Sequence, residues 1–176
     1  MPSIHRCDLP PGALLRKYQH EGAYADCYVT EVARRVSHAE YVEAFYTTAL
    51  FKVERLLLHW LVSKPSTDVE AGQLAAGTLN TFAAWSVEAR SANQLLMSDF
   101  QGRTRSWLMV TSSKSSTVED TRLYFGSAVV PIVSVKSGTR TLGLGFRLLL
   151  GFHKLYSQAL LSAAESRLAR MRFTEQ

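Results

Sequence analysis

From Thr78 to Val133, short runs rich in apolar, β-branched and aromatic residues are separated by polar turn residues, the pattern of consecutive β-strands. The pattern predicts four consecutive strands, roughly Thr78–Arg90, Asn93–Phe100, Arg103–Ser113 and Thr121–Val133. Ser91-Ala92 and Gln101-Gly102 supply the first two turns, and the polar run Lys114–Asp120 predicts a longer exposed loop. Large aromatics stand beside charged groups in these strands: Trp85 near Glu88 and Arg90, Asp99 near Arg103 and Arg105, Trp107 after them, and Arg122 before Tyr124 and Phe125.

Upstream, Tyr28, Val29, Thr30 and Val32 favour a strand over Tyr24–Val36. Ser37-His38-Ala39-Glu40 is a capping box and should start a helix, with Thr47-Thr48 marking a break. Leu50, Val53, Leu57, Trp60 and Leu61 then recur every three or four residues, one apolar helical face, until Pro65 ends it. Thr67-Asp68-Val69-Glu70 is a second capping box, for a short helix to Ala76 with Gly77 as a left-handed cap. After Ser137-Gly138 closes the strands, a long helix runs from Leu142 to about Arg170. Phe152, Tyr156, Leu160 and Leu168 form its apolar stripe, and Leu161, on a different face, could feed a homodimer.

The expected fold is α+β: a curved antiparallel sheet gripping the long C-terminal helix, with two to three helices between the first strand and the main meander. Residues 1–22, with Pro10, Pro11, Gly12 and Gly22, read as an irregular lead-in, and residues 23–176 as a single domain. A sixth strand could lie near Leu14–Tyr18.

This order of elements, together with the strings Thr121-Arg122-Leu123-Tyr124-Phe125-Gly126-Ser127 and Arg103-Thr104-Arg105-Ser106-Trp107-Leu108, resembles the START-like, or Bet v 1-like, helix-grip superfamily (SRPBCC), among its bacterial members. An NTF2-like cone is the alternative, and it usually lacks a long final helix. The resemblance implies a cavity between sheet and helix. Members commonly hold lipids, sterols, polyketides or hormones there, and a few catalyse cyclisation or hydrolysis.

Turn lengths decide which residues could face that cavity. A three-residue loop ending at Gly102 sets Asp99 against Arg103, Met97 against Arg105 and Leu95 against Trp107. Leu95, Met97, Trp107 and Met109 then share one face. Strict alternation sets Glu88 and Arg90 on one face, and Trp85 and Val87 on the other. Two readings stand for the charges: ion pairs at a hairpin end, or polar anchors in an apolar cavity. The candidate ligand-binding residues are Trp60, Trp85, Trp107, Tyr124 and Tyr156 as walls, with Glu88 and Arg105 as anchors. Glu88 is also the one weak candidate for an acid or base, because desolvation in a cavity would raise its pKa.

The remaining chemistry is sparse. His5, His20, His38, His59 and His153 show no metal spacing, and the sequence has no HExxH, CxxC or GxSxG string. Gly143, Gly145 and Gly151 fit neither a P-loop nor GxGxxG. No metal and no cofactor is expected. Cys7 and Cys27 could form one bridge but make no secreted framework, and they read as two reduced, partly buried thiols. The net charge of +5 comes from dispersed basic residues, 14 of the 20 being arginine, so no specific nucleic-acid partner is expected. Asp8, Pro10 and Pro11 interrupt any signal-peptide segment, and Arg147, His153 and Lys154 interrupt Leu142–Leu161 as a membrane span. A cytoplasmic location is the expectation. The expected function is an internal pocket for a small hydrophobic or amphipathic molecule. The alternatives are a cyclase, isomerase or hydrolase on the same scaffold, and a regulatory or interaction protein without a pocket.

Overall fold

The computed structural model describes residues 4–53, 55, 65–115, 118–130, 132–133, 140–141 and 144–171. These residues include the strands and helices β1 (His5–Arg6), α1 (Arg16–His20), β2 (Tyr24–Val32), α2 (His38–Tyr46), α3 (Asp68–Ala76), β3 (Thr81–Phe82), β4 (Trp85–Ser91), β5 (Gln94–Asp99), β6 (Thr104–Ser115), β7 (Val118–Val129), β8 (Ile132–Val133), β9 (Arg140–Thr141) and α4 (Leu144–Met171). Residues 49–53 are also helical. The fold is α+β. Seven strands form one curved, unclosed antiparallel sheet in the order β1-β2-β7-β6-β5-β4-β3, and β8 and β9 pair separately. With the C-terminal helix α4 against it, the sheet is helix-grip-like.

Local sequence explains the helix ends. Ser37 and Thr67 each accept a bond from the amide three residues on, and the Glu40 and Glu70 carboxylates accept from the Ser37 and Thr67 amides. Gly77 closes α3 in the left-handed conformation, at φ 81°. The Thr47 and Thr48 hydroxyls bond back to the Glu43 and Phe45 carbonyls, and Thr48 Oγ1 also accepts from Phe51 N, so the helix breaks and restarts there.

The sheet is buried on both faces. On one, Tyr28, Leu95, Met97, Leu108, Leu123 and Phe125 meet α2, α3 and α4. On the other, Cys27, Leu96, Trp107, Met109 and Ala128 are covered by Leu9, Ala13, Leu15 and Tyr18. The lead-in is therefore an ordered strap. It adds β1 to the edge of β2, and Leu14–Tyr18 runs into α1 instead of a strand. Gln94 fastens the strap: its side chain accepts from Leu14 N at 2.9 Å and from Trp107 Nε1 at 2.9 Å, and donates to the Gly12 carbonyl at 3.2 Å.

Two counts in the strands differ from expectation. The β5–β6 loop has four residues, so Ser98 faces Arg105 and Leu96 faces Trp107. Asp99 does not meet the Arg103 side chain; its Oδ1 accepts the Arg103 and Thr104 amides at 2.7 and 3.1 Å and organises the loop. Gly102 is left-handed as expected, at φ 67°, but one added residue turns Trp107 and Met109 away from Leu95 and Met97. A bulge between Val87 and Ala89 makes the second change. Arg90 reaches the Leu74 carbonyl on the helix face at 2.9 Å, whereas Glu88 meets the strap, so the two do not share a face. Lys114–Asp120 is not a long loop either, since β6 reaches Ser115 and pairs it with Val118.

Leu160, Leu168 and Ala164 of α4 are buried in the helix-side core. Leu161 is fully buried there as well, so it offers no surface to a second copy. Leu57, Trp60 and Leu61 lie outside the described residues. Among the described residues, no helix is long and apolar enough to cross a membrane.

Candidate functional site

Between the sheet and α4 lies a cleft of about 640 Å³. Its apolar walls come from Phe45 of α2, Leu50 and Phe51 of the following helical turns, Trp85 of β4, Phe125 of β7, and Tyr156 and Leu160 of α4. Phe45 packs on Phe125 with centroids 5.0 Å apart and on Phe51 at 6.1 Å, which fixes the floor. Val53 and Leu155 also line it and are 56% and 71% exposed, so apolar side chains flank its mouth.

Hydroxyls enter from both layers. Thr104, Ser106 and Ser127 come from adjoining positions of β6 and β7, where Ser106 faces Ser127. Ser127 Oγ donates to Asp26 Oδ1 at 2.7 Å, and Asp26 is 3% exposed. Across from them Ser157 of α4 is fully buried, and its Oγ has no hydrogen-bond partner among the described residues. A buried hydroxyl left unpaired is unfavourable, so this one is a ready donor or acceptor for whatever occupies the cleft.

Glu88 and Arg105 meet, together with two strap residues that the sequence did not point to. Arg105 Nε donates to Glu88 Oε2 at 2.5 Å and to the Tyr18 hydroxyl at 2.7 Å. Tyr18 OH donates to Glu88 Oε1 at 2.5 Å, Lys17 pairs with the same carboxylate, and the Arg105 guanidinium lies 4.6 Å from the Tyr18 ring centroid. Burial pushes the Glu88 carboxyl up, but Lys17, Tyr18 and Arg105 together outweigh it and hold the group below the usual value. Arg105 also borders the cleft, while its guanidinium is turned to this cluster.

The candidates divide between the two faces of the sheet. Trp85 and Tyr156 border the cleft. Trp107 is fully buried under the strap with Tyr124 beside it, ring centroids 6.3 Å apart. Trp60 lies outside the described residues. Phe45, Phe51, Phe125 and Ser127 were not among the candidate walls and anchors. The register of β6 against β7 would have placed Phe125 and Ser127 on the helix side, had the loop lengths been known.

Glu88→Gln should cost about 1–2 kcal/mol at neutral pH, because it leaves Arg105 half-buried without its carboxylate. The wild-type advantage should be complete above the ordinary carboxylate range and disappear as pH falls through the lowered Glu88 value. Urea unfolding of both proteins over a pH series running down from neutral measures the gap and its closure.

No protein-family model matches the chain. No curated protein matches it either. Among solved structures the chain is similar to the crystal structure of CalU16 from Micromonospora echinospora, with 12% identity over 97% of this chain and 94% of that one, at a TM-score of 0.33. A superposition that loose does not establish a shared fold.

Proposed function

We propose that this chain is a START-like small-molecule binding protein whose ligand, hydrophobic or amphipathic, lies in the cleft between the sheet and α4. The observation that carries the reading is the cleft itself, about 640 Å³ with aromatic walls and a few hydroxyls directed inward. Ligand sites typically enclose about 300–1,000 Å³ of mostly apolar space with a small number of polar groups. A regulatory protein without a pocket would fill the space between sheet and helix. The buried Ser157 hydroxyl, without a partner among the described residues, favours a ligand with at least one polar group over a pure hydrocarbon. Glu88 is tied to Lys17, Tyr18 and Arg105 at the strap, and nothing favours it as an acid or base toward the cleft.

Two substitutions test this with a fluorescent fatty-acid analogue as the probe. Ala159 is exposed and borders the cleft, so Ala159→Trp should narrow the mouth without disturbing the core. It should weaken probe binding by at least about tenfold, a loss of about 1.4 kcal/mol. Ser157→Ala should weaken it about fivefold, the value of one hydrogen bond. Equal binding by Ala159→Trp and the wild type would place the probe elsewhere and remove the cleft as its site.

A further inference from the structure

We infer that Cys7 and Cys27 form a reversible dithiol–disulfide pair, oxidised by low-molecular-weight disulfides, that fastens the N-terminal strap onto β2. This site is separate from the cleft and does not rest on the reading given for it.

β1 pairs with β2 in the register His5↔Val29 and Arg6↔Tyr28. Carried one residue further, that register sets Cys7 directly opposite Cys27, and Cys7 N donates to the Cys27 carbonyl at 3.0 Å. Opposed residues of a hydrogen-bonded antiparallel pair have Cα atoms about 5.5 Å apart. A disulfide takes Cα separations of about 4.4–6.8 Å, a range that includes this spacing. The two Sγ atoms are 3.3 Å apart as free thiols. Closing that gap to the disulfide length of about 2.05 Å asks for a movement of about 1 Å.

The two thiols differ as the chemistry needs. Cys7 is partly exposed, and Cys27 is 1% exposed. A cleft of about 370 Å³, bordered by Arg6, Asp8, Gln19 and Asp26, reaches both. The hydrogen bond between the thiols is the main influence that lowers the Cys7 pKa, against burial and the Asp8 charge, and it raises that of Cys27 together with burial. Cys7 is thus the thiol that ionises and attacks first. Its sulfur bonds to one sulfur of oxidised glutathione and expels a glutathione thiolate. Cys27 then loses its proton to solvent, bonds to the Cys7 sulfur and expels the second glutathione thiolate. The protein gives up two hydrogens, and oxidised glutathione is reduced to two molecules of glutathione.

The disulfide would close a covalent ring through α1, the segment that carries Leu15 onto the Trp107 core and Lys17 and Tyr18 onto Glu88. In a reducing compartment such a bond is transient, which makes the fastening reversible.

The test is intact mass spectrometry after incubation with oxidised glutathione, acid quenching and alkylation under denaturing conditions. The wild type should remain monomeric, lose the mass of two hydrogens and take up no alkyl group, and dithiothreitol should restore both thiols. With only these two cysteines in the sequence, the assignment is unambiguous. Cys27→Ser should stop at a glutathione adduct on Cys7, and Cys7→Ser should leave Cys27 unmodified. A wild type that stops at the adduct, keeps both thiols free, or crosslinks between molecules would overturn the inference.

Discussion

Trp107→Ala should remove about 3–5 kcal/mol of stability, measured by urea unfolding. A domain of this kind has only about 5–15 kcal/mol in total, so the variant should be marginal. The size of the effect follows from the double burial of the sheet. Trp107 is fully buried on the face covered by the strap, where it packs with Leu9, Leu15, Leu96 and Met109. Its indole N–H is one of two donors to Gln94 Oε1, the other being the Leu14 amide. Truncation therefore leaves a large cavity and loosens the side chain that ties strap to sheet. Trp107→Phe retains most of the volume and should cost about 1–2 kcal/mol, mainly the lost hydrogen bond. A loss below about 1 kcal/mol for the alanine variant would mean that the strap contributes little to the fold.

Gly126→Ala should cost about 1–3 kcal/mol, although it adds a single methyl to a strand. Gly126 faces Trp107 across the β6–β7 pair and Cys27 across the β2–β7 pair. A Cβ built there would stand 2.9 Å from Leu15 Cδ2, 2.9 Å from Trp107 Cε3 and 3.0 Å from the Asp26 carbonyl oxygen. The leucine methyl can move, but the buried ring and the β2 backbone cannot move far. The glycine is what lets the strap and the indole approach the sheet together. In a Trp107→Ala background the ring contact is gone and only those with Leu15 and the Asp26 carbonyl remain, so the combined cost should fall short of the sum. Simple additivity would show that the two positions do not share the same packing space.

How far the sequence could be read depended on the range of the interactions. The helix ends at Ser37, Thr67 and Gly77 are set by groups three or four residues apart, so a capping box or a glycine sufficed to place them. The closing helix and most of the strand block were legible from composition and turn residues, but the expected strand Thr78–Arg90 is two strands, β3 and β4, paired across a turn at Ala83-Ala84. The faces were not legible. One residue in the Asp99–Thr104 loop and one bulge at Val87/Ala89 decide where Trp107 and Glu88 point, and alternation alone is blind to a slip of one. The strap was invisible for another reason. Its partners are far along the chain: Leu14 with Gln94 80 residues on, Tyr18 with Arg105 87 residues on. Prolines and glycines in the lead-in signalled irregular backbone, and that signal carries no information about what the backbone packs against. The aromatics seen beside charged groups in the strands thus separate into two sets. Trp107, Tyr124, Glu88 and Arg105 hold the strap, and Trp85 borders the cleft with Tyr156 and Phe125.

The central claim, that the space between sheet and α4 holds a small molecule, is tested most directly by native mass spectrometry of the protein purified under mild conditions from the organism that encodes it. The account predicts a bound species of lipid-like or similarly amphipathic mass in the wild type, released on denaturation and lost or much reduced in Ala159→Trp. A bare chain across repeated mild preparations, or a bound species retained equally by Ala159→Trp, would contradict it.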